Sequence, residues 1–394
     1  MVLFLKKAAI VASPTPECNP ADASSNGKRH PGLSKTFRFQ LLGKLYPCIG
    51  YDSQNMAAVA QSTTKQARPL APQKWLVLFF VIQAALWAGM VLWNPPDHEG
   101  PLKVAVGLWP GSESLIIARE RGVLNDESVR LIEMSWSSAA LRAFGNRVVD
   151  AAVLTLDEAL RLRMDGHDIR VVCVLDVSVG ADSLMTLGAI RETEMLRGKK
   201  VGVELRTAGM YLLAKALERA GMTLKDVEIV SLNLAETEPA LMGGEVDAVV
   251  TSLPWQSRLI GAGAISLFDS KMIPGELSRL LVVRSDALKS HQAAVQSLVD
   301  AHFTILGDIT EKLGASERDV IARREGMSWN DFEGVLDLIK WPSRSEVLQM
   351  MNGTPSPLDE MADRMVDFMV NIELIPGKPD RTNWIETSIV GMTP

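Results

Sequence analysis

The chain has 394 residues, of which 22% are charged and 47% hydrophobic, and it carries a formal net charge of −6 at pH 7. These values are ordinary for a globular protein with one large or two medium-sized folded units. The charge is unevenly distributed: residues 1–96 hold ten Lys and Arg against three acids, which gives +7 and leaves −13 for the remainder. An acidic body argues against a nucleic-acid-binding protein, because such proteins present basic faces.

The N-terminal segment, residues 1–73, is rich in Ser, Pro, Ala and basic residues and is not expected to fold. Met56 opens a compact basic lead-in to the apolar stretch that follows. Two interpretations remain open. Met56 is the true start of the protein, or the whole segment is a disordered cytoplasmic tail. A peptide from residues 8–28 of the native protein would exclude the first.

An uninterrupted apolar stretch, WLVLFFVIQAALWAGMVLW, occupies residues 75–93, which is about the length that crosses the hydrocarbon of a bilayer. Tryptophans near both ends and basic residues before it predict a membrane segment at 74–94, with the N-terminus in the cytoplasm and the body outside. No Ala-x-Ala site or Cys follows it, which favours an uncleaved anchor. The body is therefore expected in the periplasm, tethered by residues 75–93, or secreted after cleavage.

Strands and helices alternate from residue 102 onward, which predicts a parallel-rich α/β sheet. The expected strands are 103–109, 129–134, 151–154, 169–175, 200–204, 227–232, 248–251 and 280–284. The expected helices are 113–122, 137–144 with Ser137 as its cap, 157–164, 208–220, 287–306, 317–325, 329–338, 343–351 and 358–371. The chain returns after its second set of elements. We therefore expect two lobes, residues 102–180 with 278–394 and residues 181–277, joined by crossings near 178–190 and 265–280.

Polar residues follow several of these strands, and ligands bind at the carboxyl ends of strands in open α/β sheets. The apolar run from Val171 ends in Ser178, Gly180 and Asp182, which forms either a ligand-binding edge or a hydrogen-bonded turn. Trp109 ends the first strand. It either closes over a ligand or belongs to the core.

Other strand ends have the same two readings. Glu113 and Asp157 begin helices, where acids suit the helix dipole, and Thr155 can cap the second of these helices. Glu204 and Thr207 precede a helix whose free backbone N–H groups can bind a polar ligand, or which Thr207 simply caps. After the strand at 248–251, the chain offers Thr251, Ser252 and Trp255 in the same way.

Catalytic and metal-binding motifs are missing from the sequence. The three cysteines form neither a disulfide framework nor a CxxC pair, and Cys173 in its apolar strand is predicted to be a core residue. The body histidines show no metal-ligand spacing, and no GxSxG, P-loop or GxGxxG motif is present. These histidines are His98, His167, His291 and His302. We therefore expect a protein without a cofactor or metal, and one that is not an enzyme.

Five motifs in order carry a resemblance to a known family: KVAVGLWPG at 103–111, VDAAVLTLDE at 149–158, SVGAD at 178–182, LRGKKVGVE at 196–204 and GEVDAVV at 244–250. Together they resemble the substrate-binding proteins of NitT/TauT-type ABC importers, the nitrate, sulfonate, taurine and thiamine-precursor group. The resemblance implies a type II periplasmic-binding-protein fold: two α/β lobes with a hinge, a ligand cleft that closes on binding, and a helical C-terminal tail. It implies a monomer whose partners are a small molecule and an ABC permease.

Carried over by position, the residues that line the cleft are Trp109, Glu113, Thr155, Asp157, Ser178, Asp182, Glu204, Thr207 and Trp255. Relatives often have an aromatic residue in place of Ser112 and Asn in place of Val179, so the ligand itself does not transfer. A carboxylate-rich cleft fits an amine, amidine or aminopyrimidine better than nitrate or sulfonate, unless the acids pair with Arg206 or other local cations. Two alternatives stay open: a membrane-tethered ligand sensor, and a pyrimidine-synthase-like enzyme.

Overall fold

The computed structural model describes residues 77–85, Trp87, 100–309 and 313–391. The chain divides into two compact units, Met1–Trp93 and Asn94–Pro394. In the first unit, the described residues 77–85 and Trp87 are helical and exposed. Across the described ranges, no helix combines the length and the apolar character needed to cross a membrane. The predictions for residues 1–73 and for most of the anchor fall outside the described residues.

The second unit contains two mixed β-sheets. The strands are β1 (Leu102–Gly107), β2 (Val129–Met134), β3 (Ala151–Thr155), β4 (Ile169–Ser178), β5 (Asp182–Thr186), β6 (Lys200–Val203), β7 (Glu228–Ser231), β8 (Ala248–Ser252), β9 (Ile265–Asp269), β10 (Ser278–Arg284) and β11 (Ile339–Lys340). The first sheet has the order β11-β4-β10-β3-β1-β2 and the second β7-β6-β8-β5-β9. We call each sheet with its helices a lobe, the first lobe holding the six-stranded sheet.

Thirteen helices are described in this unit. They are α1 (Glu113–Glu120), α2 (Ser137–Gly145), α3 (Leu156–Met164), α4 (Ala208–Arg219), α5 (Leu234–Met242), α6 (Trp255–Gly261), α7 (Ser285–Ser290), α8 (Gln292–Ile309), α9 (Ala315–Glu325), α10 (Trp329–Val335), α11 (Arg344–Met351), α12 (Pro357–Asn371) and α13 (Ser388–Gly391). Serine side chains start the late helices: Ser343 accepts from the backbone of Glu346, and Ser356 accepts from that of Asp359. The helical C-terminal region is therefore present as predicted.

Both sheets mix strand directions, so the expectation of parallel-rich sheets is wrong. β1 pairs parallel with β2 and β3, and β6 pairs parallel with β7 and β8. β10 lies antiparallel between β3 and β4, because the chain enters the first sheet again from the opposite end. In the second sheet, β5 is antiparallel to both β8 and β9.

The crossings between the sheets are shorter than the sequence suggested. β4 continues through Ser178, because its neighbours β10 and β11 hydrogen-bond to it on both sides. β5 and β9 are strands inside the segments that were expected to cross, which leaves residues 179–181 and 270–277. The long helix expected at 287–306 is divided at His291 into α7 and α8. Trp136, not Ser137, occupies the cap position of α2.

Candidate functional site

Two adjoining cavities, both partly open to solvent, lie between the strand ends of the two sheets; their space free of atoms, open solvent included, is about 380 and 430 Å³. Residues of both lobes line each of them, and they share Ser137, Thr155, Leu234, Ser252 and Arg279. We name them after one lining residue each. The remaining lining residues of the Asp182 cavity are Asp182, Glu204, Thr207, Ala208, Gly209, Val250 and Thr251. Those of the Trp109 cavity are Gly107, Leu108, Trp109, Ser112, Trp136, Val153, Leu154 and Glu158.

Five of the predicted site residues line these cavities, and they come from four separate parts of the chain: Trp109, Thr155, Asp182, and Glu204 with Thr207. The other four are buried but belong to neither lining: Glu113, Asp157, Ser178 and Trp255. The structure therefore brings together about half of the predicted set around one cleft.

Arg279 connects the lobes at the centre of the cleft. It lies in β10 between Thr155 of β3 and Asp176 of β4, and its Nη2 donates to both carboxylate oxygens of Asp182 at 3.2 Å. Its guanidinium lies 3.2 Å from the ring centroid of Trp109. Stacking on an aromatic face and pairing with a carboxylate suit the planar, weakly hydrated guanidinium. Asp182 is therefore held by an internal cation.

Asp176 lies behind this pair and has no exposed surface. Its two oxygens accept from Trp109 Nε1 at 3.1 and 3.2 Å, which fixes the indole that forms part of the cavity wall. Burial raises the pKa of Asp176 to about 7, although the charge of Arg279 opposes the rise. Gly111 makes this packing possible, since a Cβ there would lie 2.3 Å from both Asp176 Oδ2 and Trp109 Nε1.

Thr155 and Asp157 form the start of α3. The Thr155 hydroxyl donates to Asp157 Oδ1 at 2.7 Å, and Arg161 lies 3.5 Å from Asp157 Oδ2. Glu158 accepts from the Thr155 backbone N–H at 2.9 Å while its other oxygen has no hydrogen bond. Burial and the neighbouring charge of Asp157 raise the pKa of Glu158 to about 8. Thr155 thus occupies the cap position of α3 while it also lines both cavities, and Asp157 pairs within its own helix.

Glu204 and Thr207 lie between β6 and α4 in the second lobe. The Thr207 hydroxyl accepts from Gly209 N at 3.3 Å and donates to the Glu204 carbonyl at 2.9 Å, so it caps α4. Glu204 Oε1 accepts from the backbone N–H of Ser138 in the first lobe at 3.0 Å. Burial raises the pKa of Glu204, and the hydrogen bonds from Ser138 oppose the rise.

The remaining predicted residues hold the structure around the cleft. Glu113 is fully buried and lies 3.3 Å from Arg324. The Ser178 hydroxyl hydrogen-bonds to that of Ser270 at 2.7 Å, which joins the end of β4 to the second crossing. Trp255 is buried at the start of α6. None of these three side chains lines either of the two cavities.

Cations inside the protein neutralise most of the acids on which the cationic-ligand argument depended. Glu113 pairs with Arg324, Asp157 with Arg161, and Asp182 with Arg279. Of the two alternatives, other local cations are the partners, and Arg206 pairs with exposed Asp165 at 2.7 Å. Among the described residues, Glu204 is the predicted carboxylate that lines a cavity without an arginine partner.

Sequence reasoning missed Arg279, Glu158 and Trp136 in the lining. One signal pointed to Arg279: it precedes the apolar run 280–283, and a charge in a buried strand requires an acidic partner. Glu158 has no signal of its own beyond its place at the end of the motif at 149–158. Among the described residues, no group of three or more His, Cys, Asp or Glu side chains is arranged to hold a metal ion.

Two sheets joined by two short crossings, with a polar cavity between them, define the type II periplasmic-binding-protein class. The model of the NMT1-like family matches residues 96–317, so the chain belongs to that family. This confirms the predicted fold class and agrees with the NitT/TauT resemblance.

Individual relatives agree with this assignment. The chain is 23% identical over 299 residues to a protein of Haemophilus influenzae named "Putative thiamine biosynthesis protein", covering 73% of this chain and 92% of the relative. The structure is similar to the alkanesulfonate-binding protein SsuA of Xanthomonas axonopodis pv. citri bound to MOPS, with a TM-score of 0.62 and 18% identity. The match covers 73% of this chain and 99% of that protein. It is also similar to the aliphatic sulphonate-binding protein SsuA of Escherichia coli, with a TM-score of 0.58 and 19% identity; the match covers 74% of this chain and 99% of that protein.

Proposed function

We propose that the protein is an extracytoplasmic solute-binding protein. It holds a small polar, nitrogen-containing organic molecule in the cleft and delivers it to an ABC permease in the inner membrane. The observation that carries this proposal is that both lobes line the Asp182 cavity: Thr155 and Arg279 come from the first lobe, and Glu204 and Ser252 from the second. A molecule held by both lobes favours their closed arrangement, and that difference in affinity is all the function requires.

Binding without chemical conversion is supported by the positions of the reactive side chains. Cys173 lies inside β4 with no exposed surface, and burial raises the pKa of its thiol. His302 is buried beside the Ser114 hydroxyl at 2.7 Å, and burial lowers its pKa to about 4, which keeps the imidazole neutral. Neither residue lines the cavities. A pyrimidine-synthase-like reaction therefore has no support from these groups.

The proposal includes a periplasmic location, with the body tethered through residues 75–93 and acting as a monomer. A basic N-terminal flank before the apolar stretch supports this orientation. Fractionation of the native protein and accessibility to protease in spheroplasts test it. Release of the intact body without membranes would favour cleavage over the tether.

A ligand screen on the full-length chain in mild detergent tests the binding function. A ligand at 100 times its dissociation constant stabilises the folded state by about 2.7 kcal/mol, which raises the thermal midpoint measurably. Amines, pyrimidines, sulfonates and nitrate form the panel. Asp182→Asn should weaken the binding of any hit in calorimetry, whereas Asp150→Asn, whose carboxylate pairs with Arg284 outside the cleft, should not. A panel without any stabilising molecule would contradict the function.

A further inference from the structure

The two carboxylate oxygens of Glu204 have different surroundings. Oε1 accepts from the Ser138 N–H in the first turn of α2, a helix whose cap residue Trp136 makes no side-chain hydrogen bond. Glu204 therefore supplies that cap from across the cleft. Oε2 is buried and has no hydrogen-bond partner, and the residue as a whole is only 4% exposed. A buried acceptor without a partner is costly, which indicates that a donor belongs there.

Arg279 offers the complementary group in the same cavity. Its Nη2 is used by Asp182, but Nη1 has no hydrogen bond and lies 3.8 Å from the nearest oxygen of Asp176. The residue is 9% exposed and lines both cavities. At 3.8 Å the contact with Asp176 is an ion pair and not a hydrogen bond, so the N–H groups of Nη1 can still donate to a further acceptor.

The three threonine hydroxyls of the Asp182 cavity are already occupied. The Thr155 hydroxyl donates to Asp157, that of Thr251 hydrogen-bonds to Thr237 at 2.9 Å, and that of Thr207 caps α4. Leu234 and Val250 add apolar wall. Among the side chains that line this cavity, the buried polar atoms without a hydrogen bond belong to Glu204 and Arg279.

We propose that the ligand is amphoteric: it presents a positively charged, hydrogen-bond-donating nitrogen to Glu204 Oε2 and an anionic or carbonyl oxygen to Arg279 Nη1. The inference rests on the proposed solute-binding function and names the class of solute. A molecule with only one of these groups leaves the other side chain unmatched. Burial raises the pKa of Glu204, and a cationic nitrogen would stabilise its ionised form.

The hydrogen bond from Ser138 N–H to Glu204 also relates ligand binding to the contact between the lobes. Because its carboxylate bonds to the first lobe while the residue belongs to the second, a ligand at Oε2 is bound where the lobes meet. Ligand recognition and lobe closure then depend on one side chain.

Matched ligands on the full-length chain in mild detergent test the proposal by calorimetry. On a three-carbon frame the probes are β-alanine, propionate and propylamine, and on a two-carbon sulfonate frame they are taurine, ethanesulfonate and ethylamine. We expect an amphoteric probe, or an amphoteric molecule from the wider panel, to bind at least about tenfold tighter than its single-ended counterparts. A single-ended molecule that binds equally well would overturn the proposal. If nothing in the panel binds, the solute-binding function itself fails.

Glu204→Gln separates the two roles of this residue. The amide oxygen still accepts from Ser138 N–H, so the thermal midpoint without ligand should stay near that of the wild type. The amide nitrogen replaces Oε2 with a donor, so affinity for the amphoteric ligand should fall at least about tenfold. Glu245→Gln, at an exposed position of the same lobe, is the matched control. Wild-type affinity in Glu204→Gln would contradict the assignment of the cationic end.

Discussion

Replacing Arg279 with Met tests the electrostatic core of the cleft. The substitution keeps an unbranched chain against Trp109 but leaves Asp182 without its bidentate partner and Asp176 without its nearest cation. Asp176 has no exposed surface and Asp182 is 8% exposed. Removing one partner of a buried ion pair costs about 3–5 kcal/mol, because the remaining charge is uncompensated. We expect a loss of that size in the free energy of unfolding.

The loss should depend on pH. The pKa of Asp176 in the folded state, about 7, lies above the ordinary value of 3.8, so the wild type loses stability as pH rises between these values. Arg279 holds this pKa down. Without Arg279 the pKa rises further and the loss continues to higher pH. The deficit of the variant should therefore be larger at pH 8.5 than at pH 6, where Asp176 is largely protonated in both proteins.

Guanidinium unfolding followed by far-UV circular dichroism at both pH values measures this deficit. Lys199→Met is the matched control, since Lys199 and Asp247 form a half-exposed pair at 3.6 Å whose loss costs under about 1 kcal/mol. A deficit for Arg279→Met no larger than that of the control, or one that is equal at the two pH values, would refute the description of Arg279 as the buried counter-ion of two carboxylates.

Two further variants test a buried acid and a tightly packed glycine near the cleft. Glu113→Gln should flatten the pH dependence of stability. Burial raises the pKa of Glu113 from 4.5 to about 7, so the wild type loses up to about 3 kcal/mol as pH rises through that interval. Unfolding free energies at pH 5 and 8 measure this, and a wild-type dependence on pH in the variant would contradict it. Gly111→Ala should cost about 1–3 kcal/mol through collision with Asp176, whereas Gly107→Ala, with no atom within 4 Å, should leave the thermal midpoint nearly unchanged.

The fold could be predicted largely because the strands are short apolar runs with clear boundaries. The strand predicted at 129–134 matches β2, and that at 169–175 starts where β4 starts. The sequence did not reveal β5 and β9, since polar residues such as Asp182, Ser183 and Asp269 occupy their ends. Their strand conformation depends on pairing with each other and with β8, which is a tertiary contact.

The candidate site was harder to predict, because local and tertiary roles of an acid look alike in sequence. Asp157 and Glu204 both lie at the junction of a strand and a helix. Asp157 is neutralised one turn away by Arg161, whereas Glu204 reaches a helix in the other lobe. The decisive cation, Arg279, is 97 residues from Asp182 along the chain, so no local pattern relates the two. The second crossing, residues 270–277, leads from the second sheet to β10 of the first and so places Arg279 beside Asp182.

Contacts between the lobes outside the cavities limit what a ligand has to supply. Arg206 of the second lobe pairs with Asp165 of the first, Lys215 of α4 lies 4.1 Å from the ring centroid of Phe368 in α12, and Arg258 of α6 donates to the Glu325 carbonyl at the end of α9. Of these three contacts, Arg206–Asp165 is an exposed ion pair, and such pairs contribute about 0–1 kcal/mol. That pair stabilises the contact between the lobes weakly, whatever the ligand. A ligand shifts the balance only through groups whose contacts differ between the open and closed arrangements. Glu204 of the second lobe bonds to Ser138 of the first and lines the Asp182 cavity, so the proposed binding role predicts that it is such a group.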